Sequence, residues 1–257
     1  CIRYVYGIPP HTCVTYPWKH GMRSSMNPND YRKLLESGFW FKELPEELKQ
    51  ALLDAGIIKH FRQAGRLFSR GDEFNGLYAV LKGSIQITGI SENGKESVLI
   101  VLESPNWFGE IALLDNKTRT HDAFTEEDTE LLWISHSHIK RILAERPEWW
   151  REFGLLLAFK LRLAFVAIES IATLPATVRV ARWLMLIANR YGLSQEDNHK
   201  IIKVQQQQLA LMVSVSRQTT NQILKKMEAQ GLIKLSYGEI EILDIENLRK
   251  VSDRFKL

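Results

Sequence analysis

Two short stretches of the sequence combine residue types that can do chemistry. In the first, Phe108-Gly109-Glu110-Ile111-Ala112-Leu113-Leu114 runs on to Arg119-Thr120. A glycine at a strand-to-helix junction lets the backbone approach a bound group closely, and the first N–H groups of a short helix turn their dipoles toward an anion. Glu110 can accept from a sugar hydroxyl, Arg119 offers a forked cation to a phosphate, and Thr120 adds a hydroxyl donor. By residue chemistry alone the stretch also reads as a structural turn beside a surface arginine. The second stretch runs from Gln207 through Ser214-Val215-Ser216-Arg217-Gln218-Thr219-Thr220-Asn221-Gln222 to Leu224. Leu209, Met212, Val213, Val215, Ile223, Leu224 and Met227 fit two short helices buried against each other across a tight turn, with Ser216 as N-cap of the second. Arg217, Gln218 and Gln222 then share the outer face of that helix, where a helix-turn-helix meets base edges; Arg bonds guanine bidentately, and Gln adenine. Between Lys200 and Lys234 the cations Lys203, Arg217, Lys225 and Lys226 oppose only Glu228. The plain alternative is an αα-hairpin that helps folding or dimerisation, its charges a solvated face. Ser214 stands where such a turn usually has Gly, at a cost of roughly 1–2 kcal/mol for a left-handed residue.

Composition narrows the classes. The 257 residues carry 34 Lys and Arg against 30 Asp and Glu, net +4, which permits a nucleic-acid partner without requiring one. Cys1 and Cys13 are the two cysteines, so a disulfide framework, an all-cysteine zinc site and a four-cysteine iron–sulfur cluster are excluded, and a reducing, cytoplasmic setting is expected. Lys160 and Arg162 interrupt the apolar residues 153–168, which argues against a membrane span. The sequence has neither a G-x-x-x-x-G-K loop nor a G-x-S-x-G elbow, and no catalytic apparatus is expected. His121, His136 and His138 are the residues a metal-dependent enzyme would use; ordinary surface histidines are the simpler reading. Trp149-Trp150 reads as core and interface.

These residues need elements to position them. Residues 1–25 show neither helical nor strand periodicity and are expected to be an extension or leader, poorly ordered, with Met22 and Met26 as candidate starts; a functional arm is the alternative. Two short helical patterns flank Gly38 between Asp30 and Ile58. From Phe61 to Ile134 the period shortens: residues 77–81, 84–87 and 98–102 are strand-like, divided by Lys82-Gly83, Glu92-Asn93-Gly94 and Ser104-Pro105-Asn106, which predicts a compact antiparallel barrel or jelly roll. A helix over Ser135 to Ala144 precedes a long one from about Pro147 to Thr173. Its Phe153, Leu156, Leu157, Leu161, Ala164, Phe165 and Ile168 lie near heptad spacing, and Leu155, Phe159, Leu163 and Val166 cover the other flank. A helix apolar on two faces needs two partners, here the barrel and the same helix of a second subunit; a central core helix of a monomer is the alternative. Pro175 opens the next helix, Val178 to Tyr191. Two further helices follow, Gln205 to Val213 and Arg217 to Gln230, then two β runs around Tyr237-Gly238 that form a wing.

From about Gly38 to Leu257 the chain resembles the CRP/FNR family of bacterial transcription regulators. The run Val215-Ser216-Arg217-Gln218-Thr219-Thr220-Asn221-Gln222-Ile223-Leu224 is similar to the family's Ser-Arg-Glu-Thr-Val-x-Arg-Val-Leu pattern. The resemblance puts the base-reading positions on Arg217, Gln218 and Gln222 and a phosphate-contacting Gln on Gln207. Only Arg217 keeps the family's type, so the half-site is expected to differ from the family's best-known one. The stretch from Phe108 to Thr120 resembles the phosphate-binding cassette of cyclic-nucleotide-binding domains, Phe-Gly-Glu-(Leu/Ile)-Ala-Leu followed by Arg-(Ser/Thr)-Ala. It implies Glu110 on a ribose hydroxyl and Arg119 with Thr120 on the cyclic phosphate. His121 replaces the small Ala, and the positions that read adenine fall on Ala164 and Phe165, of which Phe165 can stack on or fill the base site.

The expectation is therefore an α+β chain. It has an N-terminal antiparallel β-roll of the cyclic-nucleotide-binding type over residues 26–146, a long dimerisation helix over 147–174, and a C-terminal winged helix-turn-helix over 175–257. Ser216, Arg217, Gln218, Thr219, Gln222, Gln207, Lys225 and Lys226 are the expected DNA contacts. Gly109, Glu110, Ile111, Ala112, Arg119, Thr120 and Phe165 are the expected ligand contacts. The expected partners are a pseudo-palindromic double-stranded DNA operator, a second copy of the chain and RNA polymerase, without membrane or metal. Cyclic AMP or a related cyclic nucleotide is the expected ligand; another nucleotide, or a protein active without one, are the alternatives. A nucleotide-sensing module acting on a protein partner is the reading from another class.

Overall fold

The computed structural model describes residues 27–90, 96–188, 200–204, 206–236 and 238–252, so residues 1–25, the Glu92-Asn93-Gly94 turn, Gln205 and Tyr237 lie outside the described residues. Asn27 caps a single 3-10 turn, Pro28–Tyr31, its side chain accepting from Asn29 N at 3.0 Å. Three short helices follow: α1 (Arg32–Glu36), α2 (Phe39–Glu43) and α3 (Glu46–Asp54). Gly38 is extended and divides the first two, and Pro45 opens the third, with Glu46 and Glu47 at its positive end. The sequence suggested helical pattern as far as Ile58. Instead Gly56–Phe61 is strand β1, paired antiparallel with Thr129–Ser135. The β-branched Ile57-Ile58 suits a pleated edge, and a partner strand distant in sequence decides the matter.

Strands β2 (Arg66–Phe68), β3 (Gly76–Lys82), β4 (Ser84–Ile90), β5 (Glu96–Glu103), β6 (Trp107–Phe108), β7 (Asp122–Thr125) and β8 (Thr129–Ser135) complete the roll, with helix α4 (Glu110–Asp115) between β6 and β7. They form two four-stranded antiparallel sheets, ordered β1-β8-β3-β6 and β2-β7-β4-β5. β3 is buried on both sides and so reads as a continuous apolar run. Tyr78 and Val80 meet Ile85, Leu102 and Phe108 between the sheets, while Leu77, Ala79 and Leu81 pack with the N-terminal helices. The second cluster takes in Leu35, Phe41, Leu48, Leu52, Phe153 and Leu156. The β4–β5 pairing carries a bulge: Ile87 faces Ile100 and Thr88 faces Val98, leaving Leu99 unpaired and 43% exposed.

Helix α5 (His136–Glu145) starts at Ser135, whose hydroxyl accepts from His138 N, and a 3-10 turn leads into α6 (Trp150–Thr173). On α6 the roll-facing line is Phe153, Leu156, Phe159, Lys160 and Leu163. Phe159 lies 3.8 Å from the Phe39 ring, and Trp40 Nε1 donates to Glu152 O at 2.7 Å. Phe153 and Leu156, expected on the same seam as Leu161 and Phe165, thus face the roll instead. Leu161, Phe165 and Ile168 are 51%, 61% and 62% exposed on the opposite stripe. With both flanks apolar, heptad spacing does not distinguish them; the position of the roll does.

After Pro175 come α7 (Ala176–Ala188), β9 (Lys200–Lys203), α8 (Gln206–Met212), α9 (Arg217–Ala229), β10 (Ile233–Ser236), β11 (Glu239–Ile242) and α10 (Ile245–Val251). β9 and α10 are additions to what the sequence suggested. β11 pairs with both β10 and β9, so the wing is a three-stranded sheet. Among the described residues no helix is long and apolar enough to cross a membrane.

Gly76 opens β3 at φ +151°, and a Cβ there would lie 2.3 Å from Ile134 O and 2.6 Å from Trp133 Nε1. The nearer obstacle is backbone of the neighbouring strand β8, which cannot swing aside as a side chain could. Gly76→Ala is expected to destabilise the roll by about 2 kcal/mol or more, read as a lower urea midpoint at unchanged m-value.

Candidate functional site: an anion cradle and an exposed helix face

The cradle begins where β6 ends. Gly109 adopts φ +103°, which aims the chain into α4, and a Cβ there would meet Arg119 Nη1 at 2.9 Å. Glycine is needed on both counts. Arg119 lies beneath this turn, only 4% exposed. Its Nη1 donates to Gly109 O at 3.2 Å, and its Nη2 donates to Asn75 Oδ1 and Gly76 O, both at 2.7 Å. The guanidinium sits over the rings of Phe68 and Phe74, at 4.2 and 4.9 Å. Its backbone is pinned as well, Arg119 N donating to Asp72 O and Gly71 N to Arg119 O.

Among the described residues no carboxylate lies within ion-pair distance of Arg119, and its Nε has no hydrogen-bond partner. Burial lowers its pKa, while Tyr78, Glu110 and Asp72 act in the opposite direction. A guanidinium stays protonated throughout the ordinary range, so this is a buried positive charge held by neutral acceptors. Such a charge favours an anion beside it. Arg119, expected as a forked cation for a phosphate, with a surface arginine as the alternative, is thus buried, with three of its donor contacts going to protein oxygens.

Glu110 is 2% exposed, and its Oε2 accepts from Lys160 Nζ of α6 at 2.7 Å. Lys160 is the residue of this candidate site that sequence reasoning missed, having been weighed only as an interruption of an apolar run. The signal was its position, four residues after Leu156 and seven after Phe153, which puts it on the roll-facing line. Ala112 is buried and Ile111 is 41% exposed. Thr120 is exposed, and its hydroxyl lies 2.9 Å from His121 Nδ1. Phe165, expected at the base site, lies on the exposed stripe and does not line the cleft beside Lys160. The aromatic wall near Lys160 comes from Phe39, Trp40, Trp107 and Phe159, which line a cleft with Pro105 and Leu163.

The second site is the outer face of α9. Ser216 caps it, accepting from Thr219 N at 3.1 Å, and Ser214 takes φ +52° in the preceding turn, the left-handed conformation expected there. Leu209, Val213, Leu224 and Met227 are at most 1% exposed and lock α8 against α9. That leaves Arg217, Gln218, Thr219, Gln222, Lys225 and Lys226 on the exposed side. Gln207 lies in α8, with its side chain outside the described residues. Glu228, the one acid among these cations, accepts from Leu235 N at 2.8 Å and so anchors the wing.

Two links join the sites. Arg182 Nη1 donates to Ser170 Oγ at 3.0 Å and Arg179 Nη1 to Ile171 O at 3.2 Å, fastening α7 back onto α6 across the Leu174-Pro175 bend. Val98 and Val101 of β5 share a buried cluster with Leu209 and Met212 of α8. The three histidines do not form a site: among the described residues no three His, Cys, Asp or Glu side chains gather to hold a metal. His136 packs edge-on against Phe74 at 4.9 Å, and His138 meets Ser135 Oγ at 2.9 Å.

Comparison with known proteins matches residues 58–146 to the cyclic nucleotide-binding domain and residues 178–251 to the Crp-like helix-turn-helix domain. A CRP-like cAMP-activated global transcriptional regulator of Mycobacterium tuberculosis is 25% identical over 191 residues, 74% of this chain and 85% of that protein. The cyclic AMP receptor protein of Thermus thermophilus is 27% identical over 208 residues, covering 81% of this chain and 93% of the relative. The structure of the c-di-GMP responsive global regulator CLP of Xanthomonas campestris aligns with TM-score 0.62 and 23% identity over 77% of this chain and 99% of that one. That last likeness is one of fold.

The Glu110–Lys160 pair has an energetic signature. Lys160→Met leaves a nearly buried carboxylate without its cation and is expected to cost about 3 kcal/mol in urea unfolding. Glu110→Gln combined with Lys160→Met is expected to cost less than the sum of the singles, by about 1–3 kcal/mol. Additive losses would show that the two side chains do not act as a pair.

Proposed function

The chain belongs to the CRP/FNR family of transcriptional regulators, which are not enzymes, and from that premise we propose that it is a cytoplasmic homodimer that binds a pseudo-palindromic DNA operator under control of a cyclic nucleotide. Residues 26–146 are the sensor, 147–174 the dimer helix and 175–257 the DNA-binding unit. The observation that carries the reading is the exposed face of α9, on which Arg217, Gln218 and Gln222 stand beside the capped N-terminus with Lys225 and Lys226 further along. In a helix-turn-helix this face enters the major groove, the arginine bonding guanine and the glutamines adenine, while lysines meet phosphates.

Dimerisation is supported by the stripe Leu161, Phe165 and Ile168, whose apolar area calls for cover by a like surface. A two-fold dimer reads two half-sites about one helical turn apart. The ligand reading is supported by the buried Arg119, whose charge lacks a carboxylate among the described residues, and by the mycobacterial and Thermus relatives, whose names both include cyclic AMP. Gating follows if the ligand binds one pose of the DNA-binding units better than another, since only differential affinity shifts such an equilibrium. RNA polymerase is the further partner of such a regulator. One observation favours a second reading: Lys160 already satisfies Glu110 and joins the cradle to α6, so the active pose can be built in without a ligand.

Purified protein titrated into a random duplex pool at fixed salt, with and without cyclic AMP, separates these readings. A palindrome enriched only with cyclic AMP is the expected result, and the same palindrome without it selects the built-in pose. The absence of any enriched palindrome overturns both. Arg217→Ala is expected to lose about 1–3 kcal/mol of discrimination between specific and random DNA, whereas Lys225→Ala weakens all sequences alike.

A further inference from the structure

The residue that separates this cradle from the pattern it resembles is His121, a titratable ring where a methyl group usually stands. Its Nδ1 lies 2.9 Å from the Thr120 hydroxyl, the group that the phosphate reading requires as a donor. A hydroxyl has one proton to give. Given to the imidazole nitrogen, that proton is not available to an anion; accepting from an Nδ1–H, which the neutral ring has in only one tautomer and the imidazolium always has, leaves it free. We propose that His121 is a positioning residue for Thr120, and that anion binding at the Thr120 hydroxyl is coupled to uptake of a proton by the imidazole. This rests on reading the Arg119-Thr120 turn as a phosphate site.

The surroundings of the ring fit this coupling. It is half-buried, its Cδ2 edge 3.6 Å from where a Cβ on Gly89 of β4 would stand. On that side the Ser97 hydroxyl of β5 donates to Gly89 O. Among the described residues the charged neighbours are Arg70 from the β2–β3 loop and Asp122 from β7. Burial and Arg70 lower the imidazole pKa, and Asp122 raises it. The free protein therefore holds the ring neutral at neutral pH. A bound anion one residue away adds an opposite charge and raises the pKa, the proton coming from solvent. Affinity then rises as pH falls through the bound-state pKa, and it levels off below the free-state value.

Calorimetric titration with cyclic AMP, whose phosphodiester keeps its single charge throughout, tests this near pH ~6.5 in two buffers of different ionisation heat, an interval in which histidine titrates. The full-length chain is compared with His121→Gln, which retains an amide donor for Thr120 but does not titrate, and with His121→Ala. The expected result is a buffer-dependent heat in the unaltered chain only, with affinity weakening roughly three- to ten-fold from pH ~6 to ~8, tenfold for each unit of pKa shift. Cyclic AMP binding by the unaltered chain with buffer-independent heat overturns the proposal and leaves the site reading intact. Proton uptake that persists in His121→Gln does the same. No binding by any of the three chains overturns the site reading and the proposal together.

Discussion

The sensor is organised around a positive charge that the fold buries without a negative one. Arg119 reaches under Gly109 and is held by Asn75 Oδ1, Gly76 O and Gly109 O, with Phe68 and Phe74 beneath. Two glycines exist to make room for this: one whose Cβ would strike the guanidinium, and one whose carbonyl must face it while its own Cα lies against β8. The loop before β3, the turn before α4 and the segment before β7 are thereby fixed to a single side chain. Neutral oxygens can orient a guanidinium, but they do not cancel its charge. The structure thus retains an electrostatic demand that an anion would meet.

Helix α6 connects this centre to everything C-terminal to it. One side carries Phe153 and Leu156 into the roll and delivers Lys160 to Glu110; the opposite side leaves Leu161, Phe165 and Ile168 uncovered. Its last turns receive Arg179 and Arg182 from α7, so the bend at Leu174-Pro175 is stiffened by polar contacts as well as by the proline. The same rod therefore meets the Arg119 cradle, the proposed partner subunit and the helix-turn-helix region through three different chemistries.

What could be read from the sequence was mostly local. Ser216 as a cap, Ser214 in a left-handed turn and Gly109 at a strand-to-helix junction follow from backbone and side-chain preferences that act within a few residues. The face of α9 could be read because its helix is short and one-sidedly apolar. The choices that depend on distant neighbours could not be read this way. Ile57-Ile58 suits strand as well as buried helix until β8 is placed beside it. The two apolar flanks of α6 are equivalent in pattern, so neither the roll-facing line nor the role of Lys160 follows from spacing alone. Arg119 has the residue type expected of an anion site, but its inward direction comes from Asn75 and Gly76, more than forty positions earlier in the chain.

Leu99, left out of the β4–β5 pairing, matters beyond local geometry. Without the bulge at Leu99, strict alternation would set Val98 on the same face as Ile100 and Leu102, inside the roll. With it, Ile100 and Leu102 line the aromatic cleft while Val98 and Val101 press on the cluster that holds α8. One strand thus forms a partition wall between the interior of the roll and the helix-turn-helix region. The two sides are separated there by the thickness of a single backbone.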